Sequence, residues 1–157
     1  MDVSGFKGYK VPTPVKGQVM LEIVDAEDVQ GKRADDNGEV SKGFKLTASI
    51  KSPEDALMTD GTTAVGYTFS QTWWLPRQSL IDTKPQVAGR MKRDFSHLIE
   101  AAFGADFPET IDNSEWISRQ IVAYIAPAFD DFNNEDICEI TTVLTAADIE
   151  RKAARSR

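Results

Sequence analysis

The alternation of apolar and polar side chains is cleanest over residues 43–51. Phe44, Leu46, Ala48 and Ile50 fall on one side and Lys45, Thr47, Ser49 and Lys51 on the other. A period of two is that of a half-buried β-strand. Upstream, residues 18–29 place Val19, Leu21 and Ile23 on one side, which predicts a first strand behind an extended lead-in marked by Pro12 and Pro14. The intervening GKRADDNGEVSKG reads as a turn-rich connection. A third strand is predicted over 64–75, where Val65, Tyr67, Phe69, Trp73 and Leu75 share one parity, interrupted by Gln71. Gly66, Thr68, Ser70, Thr72 and Trp74 share the other. Strand geometry sends Trp73 and Trp74 to opposite faces, so Trp73 is expected in the core and Trp74 on a face of small polar residues. A bulge near Gln71 would exchange the two roles.

Pro76 closes this strand, and the sequence DTKP at 82–85 is a helix entry, with proline in the first turn. Met91, Phe95, Leu98, Ile99, Ala102 and Phe103 then recur at helical spacing until Gly104. Residues 116–127 and 136–144 read as a fourth and a fifth strand. Three strands, a helix and two strands predict a mainly β fold, an OB-fold-like five-stranded antiparallel barrel with one helix between strands three and four. An α+β sandwich with the same element order is the competing architecture. Residues 1–145 are expected to form a single domain with its N-terminal lead-in, and 146–157 a basic C-terminal tail, short and helical or frayed.

Composition narrows the chemistry. A chain of 157 residues can bury a core without disulfide or metal staples. It has no apolar run long enough for a membrane helix and no apolar segment near its start, so no membrane partner and a cytoplasmic location are expected. One cysteine, Cys138, and one histidine, His97, give no internal disulfide and no zinc constellation. Cys138 lies in an apolar string and reads as a buried, inert thiol. Asp35 to Glu39 bear a superficial likeness to a calcium loop without the EF-hand spacing, and Asp25, Glu27 and Asp28 lack the lysine partner of a nuclease motif. The expectation is a protein that is not an enzyme and carries neither metal nor cofactor.

Charge changes the picture more. The net charge is −7, but it is unevenly spread. Lys42, Lys45 and Lys51 meet no carboxylate between residues 40 and 53, and residues 61–93 hold five cations against Asp82 alone. Residues 94–150 set thirteen carboxylates against Arg119. This polarity fits a local anionic partner on an acidic protein, and it equally fits solvated faces that differ.

The layout resembles small phage-encoded single-stranded DNA-binding proteins of the OB-fold type. The resemblance is carried by GQVMLEIVDAEDVQGK as first strand and loop, KGFKLTASI as second, TFSQTWWLP as third, and the helix MKRDFSHLIEAAFG before WISRQIVAYIAP. It covers about residues 15–145 and departs from bacterial members of the functional class, which end in an acidic partner-recruiting tail where this chain ends ERKAARSR. It implies a largely sequence-independent accessory protein of replication or recombination, with single-stranded DNA and replication or recombination proteins as partners and self-association left open.

The residues agree with that implication. Single-strand binders combine cations along the phosphates with rings that stack on bases. Paired second and third strands would bring Lys45 and Lys51 near Trp74 and Thr72, with Lys32, Arg33 and Lys42 reaching in from the first loop and Arg77 from the strand end. Trp73 is the second candidate ring. The alternative for Trp74 is packing against residues 76–90 or a dimer partner, and the alternative for the chain is a structural or protein-interaction module such as a virion component.

Overall fold

The computed structural model describes residues 1–155. Five strands, β1 (Gly17–Ala34), β2 (Val40–Ser52), β3 (Thr68–Leu75), β4 (Gln120–Asp130) and β5 (Glu135–Leu144), form one antiparallel sheet in the order β3-β2-β1-β4-β5. Helices α1 (Gln78–Thr83) and α2 (Pro85–Phe103) lie between β3 and β4, and α3 (Ala146–Arg155) follows β5. The mainly β, five-stranded antiparallel expectation therefore holds. Two helices, not one, occupy the connection, and the predicted basic tail forms a helix through Arg155.

The sheet is not a barrel closed by backbone ladders, because β3 and β5 share none. One side chain spans the gap. The Gln71 amide donates from Nε2 to the Ile140 carbonyl at 3.2 Å and accepts the Ile140 N–H through Oε1 at 2.7 Å. A primary amide carries donor and acceptor in nearly the geometry of a peptide group, so it satisfies both backbone groups of Ile140 at once. This accounts for the polar interruption in the apolar parity of β3.

The core is the inner side of the curled sheet plus α2. Leu21, Ile23, Leu46, Ile50, Ile121 and Ile125 are fully buried, as alternation predicts. Leu98 is buried on α2, with Phe95 and Ile99 packed beside it. Phe44 joins the helix to the sheet, its ring 5.5 Å from Phe95 and 4.8 Å from Trp116. Trp116 belongs to a short 3-10 turn, Asn113–Trp116, and β4 begins only at Gln120. Apolar character therefore marked a core residue correctly but placed the strand start too early.

The first hairpin departs most from expectation. Strand β1 runs on through Lys32 and Arg33 to Ala34, leaving residues 35–39 as the turn. Asp35 Oδ1 accepts the N–H groups of Asn37 and Glu39, and Gly38 takes φ +78°, a backbone region that glycine enters without the Cβ penalty. The tip then grips α1: Ser79 Oγ donates to Asp35 Oδ2 at 3.0 Å, and the Gln78 N–H donates to Glu39 Oε1 at 3.0 Å. The backbone N–H of Glu39, first, and the Ser79 hydroxyl hold the Asp35 carboxyl below the usual aspartate range. The third strand is also shorter than its pattern suggests, since residues 64–67 precede β3 and Val65 is exposed.

Candidate nucleic-acid interface

Register fixes what the outward face of β2 and β3 presents. Gly43 pairs with Trp74, Lys45 with Thr72, Thr47 with Ser70 and Ser49 with Thr68. Paired residues point the same way, so Trp74, Thr72 and Lys45 do share a face. The Thr47 and Ser70 hydroxyls bond to each other at 2.8 Å on it. Trp74 is 42% exposed. Its ring lies over Gly43, where a Cβ would stand only 2.8 Å from Trp74 Cε3 and 3.0 Å from Thr72 Cγ2. Glycine at this position is what permits the indole to lie across the neighbouring strand.

Trp73 pairs with Phe44 on the inner face, so no bulge exchanges the two tryptophans. It is not a fully enclosed core residue, however. It is half-buried, packed against the core on one side and bordering a surface groove on the other.

The cations are less concentrated than predicted. Lys45 Nζ lies 3.6 Å from Glu27, and Lys51 Nζ lies 3.4 Å from Glu22. Glu22 faces outward by the ordinary alternation of Leu21 and Ile23, whereas Glu27 reaches Lys45 through a register shift in β1 between Ile23 and Asp25. Val19, Leu21 and Ile23 are buried at odd positions, but beyond the shift Ala26 is the buried residue, and Val24 is turned out. An extra residue reverses the alternation, so Asp25 and Glu27 pair with Thr47 and Lys45 and join the outward face. The sequence signal was present in that change from odd to even apolar positions.

The remaining candidates frame one end of this face without forming a cluster. Lys42 is exposed but lies in β2 on the parity of Phe44, away from Lys45. Lys32 and Arg33 are exposed at the irregular end of β1 and belong to a strand, not to the expected loop. Arg77 precedes α1, where it exerts a small electrostatic pull on Asp35. Exposed lysine–carboxylate pairs contribute little to stability, about 0–1 kcal/mol, so Lys45 and Lys51 remain exchangeable toward a phosphate.

Cys138 is buried, as its apolar string predicts, and His97 is engaged by a carboxylate. Burial raises the Cys138 thiol to about 12, with Glu139 adding to the effect, so it stays protonated at neutral pH. His97 Nε2 is bonded to Asp148 Oδ2 at 2.8 Å. Among the described residues no group of histidine, cysteine or acidic side chains is arranged to hold a metal ion, and no helix is long and apolar enough to cross a membrane. No family model matches the chain, and no curated protein matches it significantly.

Proposed function

We propose that the protein is a single-stranded DNA-binding accessory factor of replication or recombination, built on an OB-fold-type frame and largely indifferent to base sequence. The observation that carries this reading is the indole of Trp74, exposed on a sheet face of hydroxyl side chains and supported from beneath by Gly43. A ring held flat against a sheet loses little freedom when a base stacks on it, and such a stack contributes about 1–3 kcal/mol whichever base is presented. The strand order supports the frame: a three-stranded meander, with β4 beside β1 and β5 facing β3 across Gln71, is the arrangement from which a small Greek-key barrel is made.

A structural or protein-interaction module is the second reading, and a specific observation favours it. Phe129 and Phe132, at and beyond the end of β4, are 52% and 92% exposed, amid the carboxylates of Asp130 and Asp131. An apolar tip of that kind suits a protein partner better than a polyanion.

Titration of a labelled oligo-dT at low salt separates the two. Binding that quenches tryptophan emission and weakens by about 1–3 kcal/mol in Trp74→Ala is the expected result. Absence of any mobility or emission change in the wild-type protein would defeat the single-strand reading.

A further inference from the structure

A second charged surface lies on the other side of β3. Two adjoining cavities, about 650 and 500 Å³ in volume, share His97 and Thr142 and run from the gap between β3 and β5, along α2, to α3. Among the described residues their permanent cations are Arg93 from α2 and Arg151, Lys152 and Arg155 from α3, against two carboxylates, Asp94 and Asp148. The net excess of positive charge contrasts with the outward face, where β1 supplies Glu22, Asp25 and Glu27 to two lysines.

Side-chain contacts hold two of these cations, Arg151 and Lys152, in place. Asp148 accepts the Thr145 N–H at 3.0 Å and bonds His97 and Arg151, while Thr145 Oγ1 accepts the Asp148 N–H at 3.1 Å. This reciprocal cap fixes the start of α3 and ties it to α2. Lys152 donates to Tyr124 Oη and Gln18 Oε1 and stands 4.9 Å above the Tyr124 ring. The cations thus sit beside two aromatic rings, Tyr124 and the half-buried Trp73, with Thr142 supplying a hydroxyl.

We propose that this groove holds backbone phosphates of the same single strand that stacks on Trp74, so that the strand passes around β3 from one tryptophan to the other. The inference rests on the proposed function. It assigns the electrostatic part of binding to α2 and α3, where positive charge exceeds negative, and leaves stacking to the outward face. Arginine forks suit phosphate oxygens, and rings next to them suit a nucleotide rather than a bare anion.

The test uses the full chain and a labelled oligo-dT of about 16 nucleotides, long enough to reach both surfaces. Arg151→Gln with Arg155→Gln should lower affinity at low salt at least tenfold and reduce the slope of log K against log salt by about 0.7 for each phosphate no longer neutralised. Thr142→Glu, which leaves the α3 contacts intact while placing a carboxylate in both cavities, should weaken binding in the same direction. Trp74→Ala should weaken binding without changing the slope. Unchanged affinity and slope in both groove variants, with Trp74→Ala still impaired, would overturn the groove and leave the single-strand reading standing. No binding by the wild-type protein would remove both. An oligoglutamate of equal charge displacing the oligonucleotide equally well would overturn the phosphate assignment in favour of an acidic peptide.

Discussion

On the outward face of β2 and β3, each lysine lies against a glutamate of β1; among the described residues that line the groove beside α3, four permanent cations meet two carboxylates, Asp94 beside Arg93 and Asp148 beside Arg151. The first surface has the better aromatic platform and the second the better charge. The difference arises from how each is built. A strand face inherits whatever its neighbours in register present, so the shift at Val24 was enough to bring acid beside Lys45. The groove is assembled from elements distant in sequence, and its acids are already engaged, Asp94 by Arg93 and Asp148 by Thr145, His97 and Arg151.

The contrast is sharpest for the two tryptophans. Trp73→Ala should cost somewhat less than the ~3–5 kcal/mol typical of a fully buried indole, because one side of the ring already borders the groove. Trp74→Ala should cost under about 1 kcal/mol, as an exposed substitution does. Chemical denaturation of both variants reads the difference, and equal losses would erase the distinction between a supporting ring and a stacking one.

Gln71→Ala tests the wall of the groove. It strips both hydrogen bonds from Ile140, and leaving such groups unpaired costs about 1–3 kcal/mol. A matching fall in the thermal midpoint is expected, with Trp74 emission unchanged. Gly43→Val perturbs the opposite surface more gently. Its Cβ would displace the Trp74 ring, so oligonucleotide affinity should fall by up to about 1 kcal/mol while stability stays near wild type.

The smallest effect should be the acid response of α3. The Thr145 N–H, first, and then His97 and Arg151 hold the Asp148 carboxyl well below its ordinary value. A depressed folded-state pKa stabilises the fold above the unfolded value, about 4, and that contribution is lost as pH falls further toward the folded value. A partial loss of far-UV helical signal below about pH 4 is expected in the wild type, and its absence in Asp148→Asn, whose helix should already be loosened at neutral pH, would complete the comparison.

Much of this architecture was legible in the chain. The alternation of residues 43–51 and 64–75 predicts the pairing of β2 with β3, which the structure makes over 68–75, and helical spacing identifies Leu98 with its neighbours Phe95 and Ile99. What escaped reading depends on contacts between distant residues. The polar break at Gln71 was visible, but its partner Ile140 lies 69 positions away. Lys32, Arg33 and the following acids carry the polar pattern of a loop, although docking on α1 fixes the hairpin tip. The groove was hidden for the same reason: residues 94–150 are strongly acidic as a run, and only the fold lays the basic end of α3 against them.

Bridging the open seam between β3 and β5 with a glutamine has a consequence for how copies of this protein meet. A strand without a backbone ladder on one side offers its N–H and C=O groups to any other extended chain. Here β3 and β5 turn those sides toward each other, Gln71 occupies the middle of the opening, and α2 packs against both strands. The helix therefore acts as a cover as well as part of the core. A chain that lifts α2 while keeping its strands would expose two adhesive edges at once, so aggregation from partly opened molecules is where damage to this seam should first be felt.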